Sequence, residues 1–141
     1  MWNLKILVMN SEDEEMLFYD EKHKKFYVET CEKHRSNGKI LDVYNEMIFY
    51  LIGLCSDTRN HFEDLFDLKE NVIIPNAINK AWQTGTSSKI CRLAFNLWNG
   101  YCGVEDDMND SKRYLVDDIF CCGYATYFFE AIRIRYPEYC R

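Results

Sequence analysis

The chain has 141 residues, of which 48% are hydrophobic and 16% aromatic, and only six Gly and two Pro interrupt it. This composition is typical of one folded domain and excludes a disordered chain. The net charge of −6 repels phosphate backbones, so direct nucleic-acid binding is disfavoured. The longest apolar run, Met47 to Cys55, covers nine residues and is too short to cross a bilayer.

Seven cysteines are many for this length, but their number is odd and no recognisable signal peptide precedes them. The opening segment, Met1 to Met9, is too short for a signal peptide and lacks a cleavage site. Unpaired thiols are typical of reducing compartments. The sequence therefore predicts a cytoplasmic protein with reduced cysteines and no membrane segment.

An N-terminal arm and an amphipathic helix are predicted in the first part of the chain. Residues 1–16 form the arm, and residues 3–9 alternate weakly, as in a short strand or an extended segment laid on the helices. Asp20 is a good N-cap for a helix from Glu21 to Arg35, which Asn37-Gly38 ends. Its inward face, at helical spacing, contains His23, Phe26, Tyr27, Thr30, Cys31 and His34.

A second helix, Leu41 to Cys55, is apolar on almost every side after Glu46, which is typical of an enclosed helix. We expect it to form the axis of the core. Asp57 is predicted to cap a shorter helix from Thr58 to Phe66, followed by an exit turn through Asn71. Pro75 suits the first turn of a further short helix, which extends through Trp82.

The best-defined helix follows residues 84–88, where a hydroxyl can accept from free backbone N–H groups, and ends at Gly100, which suits a left-handed cap. Its buried stripe is expected to contain Ile90, Leu93, Ala94, Leu97, Trp98 and Tyr101. On the opposite face, cationic and amide side chains recur at i, i+3, i+7 and i+10: Lys89, Arg92, Asn96 and Asn99.

The C-terminal part is predicted to contain a polar loop at 102–112, a short helix or turn at 114–122, and a last helix between Gly123 and Pro137. The apolar face of that last helix comprises Ala125, Phe128, Phe129, Ile132 and Tyr136. No internal repeat or linker divides the chain. Residues 1–141 are therefore expected to form one all-α domain of about six helices around the central apolar helix.

The start of the helix that contains Ile90 is the sharpest local indication of a ligand site. Free N–H groups, hydroxyls and the positive end of the helix dipole can hold a phosphate or a carboxylate. The candidate binding residues are Thr86, Ser87, Ser88, Lys89, Arg92, Asn96 and Asn99. The spacing is not that of a P-loop, and an ordinary capped helix start with structural asparagines explains the same residues.

Other constellations of reactive residues carry weaker signals. Cys31-x-x-His34 with His23 or His61 has the residue types of a zinc site, but zinc ligands usually come as pairs from two elements. The loop from Asp106 to Ser111 lacks the Gly and the closing Glu of a calcium loop. No signature of a cysteine enzyme is present, and the acids beside His61 are typical of a solvated face. The sequence thus predicts no cofactor or metal and favours a non-catalytic protein.

Acidic side chains are clustered rather than spread along the chain. One run lies at residues 12–15, and a second set lies between residues 105 and 118. Such runs are usually solvated faces; the alternative is a surface that docks on a basic protein partner. The residues proposed to bind such a partner are Glu105, Asp106, Asp107, Asp110, Asp117 and Asp118.

Several segments together resemble a known family. They are Phe66-Asp67-Leu68-Lys69-Glu70, the run Arg92-Leu93-Ala94-Phe95-Asn96-Leu97-Trp98-Asn99-Gly100-Tyr101, and Ala131-Ile132-Arg133-Ile134-Arg135-Tyr136. With them, residues 17–136 resemble a domain of unknown function found in small helical proteins of Gram-positive bacteria and their mobile elements. The resemblance implies a helical fold and a cytoplasmic, phage-encoded protein, but no activity. The N-terminal segment and the loop from Glu105 to Asp110 depart from the family pattern.

Three functional hypotheses follow. The first is a non-catalytic binding protein, such as a phage or mobile-element inhibitor of a host defence system like CRISPR, that docks its acidic patches on a basic surface. The alternative is a small-ligand or nucleotide-binding protein, or an enzyme, that uses the loop at 84–89 with Arg92, Asn96 and Asn99. A surplus of aromatic residues would also suit self-association as a homodimer if some of them are exposed.

Overall fold

A computed structural model of the protein describes residues 16–140. The α-helices of this part, in chain order, are α1 Glu21–Ser36, α2 Val43–Ile52, α3 Ser56–Asn60, α4 Phe62–Leu65, α5 Gly85–Asn99, α6 Met108–Ser111, α7 Val116–Ile119 and α8 Ala125–Arg135. The remaining elements are the strands β1 Phe66–Asp67 and β2 Val72–Ile73 and the 3₁₀ helices Pro75–Asn79 and Lys112–Tyr114. The prediction of an all-α fold is confirmed apart from this small hairpin.

Helix α2 is the axis of the core, as its apolar sequence predicts. Every residue from Met47 to Ile52 is at most 1% exposed, and the helix packs against α1, α5 and α8. Its start is fixed by a capping box, in which the Asp42 carboxylate accepts from the Asn45 N–H and the Asn45 side chain accepts in return. Full burial of one large apolar side chain contributes about 1.5–3 kcal/mol, so the six buried residues of this helix are a large part of the hydrophobic stabilisation.

Helix α1 presents the predicted stripe to α2. The Asp20 carboxylate accepts from the His23 N–H and caps the helix, as expected. The buried residues of the helix are His23, Tyr27, Thr30, Cys31 and His34, while Phe26 is half-buried. The period of this helix is therefore read correctly from the sequence.

The chain between α2 and α5 differs from its prediction. The expected helix from Thr58 to Phe66 is wrong, because the backbone at His61 leaves the helical region (φ −121°, ψ 30°) and separates α3 from α4. Asp57 lies inside the first turn of α3, and Cys55 occupies the N-cap position instead. The exit turn forms a hairpin whose register pairs Phe66 with Ile73. The segment expected to be helical through Trp82 is a 3₁₀ helix that ends at Asn79.

Helices α5 and α8 complete the core. Helix α5 begins with a capping box between Thr84 and Ser87 and ends at Gly100, whose φ of 80° is the left-handed cap that the sequence predicts. Helix α8 buries Phe128 and Ala131, but Phe129 is 61% exposed, so its placement on the buried face is wrong. The reason is that the short α8 has apolar residues on both of its sides, and only one side faces α2.

The C-terminus of α8 is fixed to its neighbours by Arg135. The Arg135 Nε donates to the Leu97 carbonyl at 2.9 Å, and the guanidinium carbon lies 3.8 Å from the ring centroid of Tyr44 and 4.4 Å from that of Tyr136. A guanidinium between two aromatic rings is a favourable cation–π arrangement. This clamp joins α8, α5 and α2.

Two sequence predictions concern the N-terminal region and the membrane. The arm at 1–16, including the strand predicted at 3–9, lies outside the described residues except for Met16. Among the helices of the described part, none combines the length and the apolarity that crossing a bilayer requires.

Candidate protein-docking surface

The acidic segment, defined here as residues 103–118, connects α5 to α7 and folds as a series of short turns. It contains six carboxylates and two cationic side chains, so it carries −4 of the net charge of −6. The Asp107 carboxylate caps α6 by accepting from the Asp110 N–H at 3.1 Å. The Asp110 Oδ2 accepts from the Val104 N–H at 2.7 Å. These two contacts link Val104, Asp107 and Asp110 within the segment.

Glycine is required where this segment turns. Gly103 has φ +100°, and a Cβ built on it would lie 2.5 Å from the Asp110 Oδ2. Asp106 also has a positive φ, of 66°, a conformation that aspartate tolerates better than most residues. The backbone thus places Glu105 and Asp106 at the outer edge of the turn, where both are exposed.

The predicted partner-binding residues divide into two groups. Glu105, Asp106, Asp107 and Asp117 are exposed, and none of them lies within ion-pair distance of a cation in the described part of the chain. Asp110 is half-buried beneath Gly103, and Asp118 forms a salt bridge to the Lys89 Nζ at 3.1 Å. Four carboxylates of the acidic segment are therefore available to a partner.

Exposed apolar side chains accompany these carboxylates. Large hydrophobic residues in the acidic segment that are more than half exposed are Val104, Met108, Leu115 and Val116. Scattered exposed apolar residues are normal, but here four of them lie among exposed acids within one short segment. The acids are visible in the sequence and these apolar residues are not, because exposure of a hydrophobic residue leaves no local sequence pattern.

A cleft of about 350 Å³ separates the acidic segment from the first 3₁₀ helix. Tyr101 and Tyr114 line it with a T-shaped contact, their ring centroids 5.7 Å apart, and Asp107 and Asp110 line it with carboxylates. Burial, together with the Asp110 carboxylate, raises the pKa of Tyr101. Burial, Tyr101 and the Asp110 carboxylate likewise raise the pKa of Tyr114. Both phenols therefore stay protonated at neutral pH.

The residues predicted to bind a ligand at 84–89 make contacts within the protein. The Ser87 Oγ donates to the Gln83 Oε1 at 2.6 Å, the Ser88 Oγ donates to the Thr84 carbonyl at 2.7 Å, and Thr86 is exposed. Lys89 is paired with Asp118. The hydroxyls of Ser87 and Ser88 and the ammonium group of Lys89 thus have partners inside the fold.

The asparagines of the predicted polar stripe hold the end of α5. The Asn96 Nδ2 donates to the Tyr101 carbonyl at 3.2 Å, and the Asn99 Oδ1 accepts from the Tyr101 N–H at 3.1 Å. These are the structural roles that the sequence allowed as the alternative. Together they direct Tyr101 into the turn that lines the cleft.

Arg92 differs most from its predicted position on a polar face. It is only 7% exposed, and its guanidinium carbon lies 5.9 Å from the ring centroid of Tyr114. Its Nε has no hydrogen-bond partner in the described part of the chain. The cause is that the chain surrounds α5, since α2, α3, both 3₁₀ helices, α7 and α8 pack around it. One cation of the predicted polar stripe is therefore buried in the fold.

The residues considered as zinc ligands on α1, His23, Cys31 and His34, are buried in the core. The His23 Nε2 lies 2.8 Å from the Tyr50 carbonyl, and the His34 Nε2 lies 3.2 Å from the Ile40 carbonyl. Burial raises the pKa of Cys31 to about 11, which keeps this thiol protonated. Within residues 16–140, no group of three His, Cys, Asp or Glu side chains is arranged to hold a metal ion.

Comparison with known proteins was made against families, curated proteins and solved structures. No curated protein and no solved structure matches the chain. A model of a family of unknown function, DUF6075, matches residues 13–141, which is nearly the whole chain and includes the acidic segment and every element described above. The chain therefore belongs to the DUF6075 family of unknown function.

Proposed function

We propose that this protein is a non-catalytic protein-binding protein whose acidic segment docks on a basic surface of a partner. The observation that carries the proposal is the group of four exposed carboxylates, without ion pairs among the described residues, beside four exposed apolar side chains. The negative charges of these carboxylates attract a basic surface over long range, and the apolar side chains supply contact area once the surfaces meet.

The electrostatic part of such docking has a defined signature. Exposed charges interact over a Debye length of about 10 Å at 0.1 M salt, so association slows as ionic strength rises. Basic protein surfaces often bind nucleic acid, and an acidic segment would compete with nucleic acid for the same residues. Competition of this kind makes the protein an inhibitor of its partner.

The narrower proposal concerns the setting of this activity. We propose that the protein acts in the cytoplasm of a Gram-positive bacterium, is encoded by a phage or mobile element, and inhibits a host defence system such as CRISPR. The free state of all seven cysteines supports a reducing compartment. The resemblance of residues 17–136 to small proteins of mobile elements supports the origin.

The test compares two charge variants in capture from a lysate of the encoding organism. The first variant, Glu105→Lys with Asp106→Asn and Asp117→Lys, alters three exposed acids of the acidic segment. The control, Glu29→Lys with Glu32→Lys and Glu138→Gln, gives the same change in net charge at exposed acids elsewhere. None of these six side chains makes a hydrogen bond to another described residue, so both variants should fold.

We expect one protein to be retained by the wild type and by the control, released on a salt step, and reduced at least tenfold by the first variant. Bound fractions are quantified by mass spectrometry, and circular dichroism confirms that the variants are folded. Equal retention of that protein by both variants would show that the acidic segment is not the docking surface.

A further inference from the structure

The cleft between the acidic segment and the first 3₁₀ helix has a composition that selects one kind of side chain. We propose that it takes the guanidinium group of an arginine from the partner's basic surface, an inference that rests on the proposed docking function. Its volume of about 350 Å³ lies at the lower end of the range for small-ligand sites and suits one long side chain.

Hydrogen-bond acceptors without partners line two sides of the cleft. The Asp110 Oδ2 accepts from the Val104 N–H, while within the described part of the chain no donor reaches the Asp110 Oδ1. On the other side, the Asn79 Nδ2 donates to the Asn76 Oδ1 at 3.0 Å, which leaves the Asn79 Oδ1 as an acceptor. A guanidinium presents five N–H donors in a planar fork and can satisfy acceptors on both sides at once.

Aromatic rings in the cleft also favour a guanidinium group. Tyr101 and Tyr114 both line the cleft, and a guanidinium stacks on a tyrosine face more favourably than an ammonium does. The same fold already contains this arrangement, because the Arg135 guanidinium carbon lies 3.8 Å and 4.4 Å from the ring centroids of Tyr44 and Tyr136. Tyr101 and Tyr114 contact each other in a T shape, so an incoming guanidinium would stack on one ring face rather than between the two rings.

The charges around the cleft favour a cation overall. The lining carboxylates are Asp107 and Asp110, and the lining cation is Arg113, which is exposed. Arg92 lies near Tyr114 but does not line the cleft. The side chains that line the cleft therefore carry one more negative than positive charge, which favours an incoming guanidinium.

The test uses three capped tripeptides, acetyl-Gly-Arg-Gly-amide and its twins with lysine and with citrulline, a neutral isostere of arginine. Each is titrated into ¹⁵N-labelled full-length protein at low salt, and amide shifts are followed by NMR. We expect the arginine peptide to shift the amides of Gly103, Val104 and Tyr114, the lysine peptide to bind several-fold more weakly, and the citrulline peptide to shift none of them.

Variants assign the effect to the cleft. Asp110→Asn keeps the size of the side chain and should raise the Kd of the arginine peptide at least tenfold, and Tyr101→Leu should do the same by removing one ring. Glu29→Gln, which makes the same charge change at an exposed acid outside the acidic segment, should alter the Kd less than twofold. The NMR spectrum of each variant verifies its fold before titration.

Failure of this inference is distinguishable from failure of the docking function, because the residues changed in the capture experiment do not line the cleft. Equal shifts from the citrulline peptide, equal weakening by Glu29→Gln, or no binding to the wild type would each overturn the arginine cleft. If partner capture still depends on Glu105, Asp106 and Asp117 in those cases, the docking function stands without it.

Discussion

At the scale of single residues, His23 shows how the core uses a polar side chain. Its Nδ1 accepts from the Tyr19 N–H at 3.0 Å, and its Nε2 lies 2.8 Å from the Tyr50 carbonyl, to which it donates in the neutral tautomer. Both ring nitrogens are thus satisfied only while the ring is uncharged, since protonation would set an N–H against the Tyr19 N–H. Burial is the largest cause that lowers the pKa of His23 to about 4.

This environment makes the stability of the protein depend on pH. The unfolded chain binds a proton near pH 6.5 and the folded chain near pH 4, so the contribution of His23 is present above pH 6.5 and is lost as the pH falls toward 4. Between pH 7 and pH 5 we expect the free energy of unfolding to fall by about 2 kcal/mol from this residue. Urea unfolding at the two pH values measures the difference.

A pair of histidine variants isolates the effect. His23→Phe lacks the titrating group and should flatten the pH dependence between 7 and 5, although the protein loses stability at pH 7 because two backbone groups, one of them buried, lose their partner. His61→Gln, at a half-buried ring stacked on Trp82, serves as the control and should keep the wild-type slope. An unchanged slope in His23→Phe would contradict this assignment.

The fate of Arg92 shows what a residue pattern can and cannot predict. The stripe of Lys89, Arg92, Asn96 and Asn99 follows from helical spacing, and the caps at both ends of α5 were predicted correctly. Spacing assigns residues to a face of a helix, but it does not say whether another segment covers that face. Arg92 is buried because the 3₁₀ helix at Lys112–Tyr114, which has no periodic signature, folds over it.

At the scale of elements, the crossing of α1 and the end of α2 depends on Gly53. A Cβ on this residue would lie 2.9 Å from the His23 Cδ2 and 2.9 Å from the Phe26 Cδ1. Its backbone conformation, with φ −72°, suits any residue, so only the contact requires glycine. We expect Gly53→Ala to lower the free energy of unfolding by about 1–3 kcal/mol, because both rings must move.

Gly85→Ala is the matched control for this prediction. Gly85 is the first residue of α5, and a Cβ there meets nothing within 4 Å. Reduced freedom of the unfolded chain should leave this variant as stable as the wild type or up to about 1 kcal/mol more stable. The urea unfolding midpoints of the two variants test this prediction. Equal midpoints would show that the side chains at the α1–α2 contact move at little cost in free energy.

Elements differed in how well the sequence predicted them, and their length explains the difference. Helices α1, α2, α5 and α8 have ten or more residues, so several turns repeat the same apolar spacing and the sequence predicts each of them. Strands β1 and β2 have two residues each, too few to show alternation, and their pairing depends on the Asn71 turn, whose side chain accepts from the Asn45 Nδ2 at 2.7 Å. Short elements are specified by tertiary contacts.

At the scale of the whole molecule, the candidate site depends on residues that are distant in sequence. The 3₁₀ helix at Pro75–Asn79 and the segment from Tyr101 to Tyr114 meet only because both pack on α5. Sequence analysis could identify the acidic run, since charge is visible residue by residue. It could not identify the cleft, because neither wall has a motif and their juxtaposition is a property of the packed helices.

The cysteines allow the cooperativity of the whole fold to be measured. Cys102 and Cys121 are exposed, whereas Cys31 and Cys91 are buried in the core between the helices. Burial raises the pKa of Cys91 to about 12, so at pH 8 this thiol is both protonated and inaccessible, and only the thiolate reacts. If the core opens as one unit, labelling of Cys31 and Cys91 must wait for global unfolding. For a typical domain stability, labelling of these two thiols is then roughly a thousandfold slower or more than labelling of the exposed ones.

Alkylation at pH 8 followed by peptide mass spectrometry should therefore show Cys102 and Cys121 modified first and Cys31 and Cys91 modified later at one common rate. Labelling of Cys91 well ahead of Cys31 would instead reveal that α5 opens independently of α1, which would divide the core into two units.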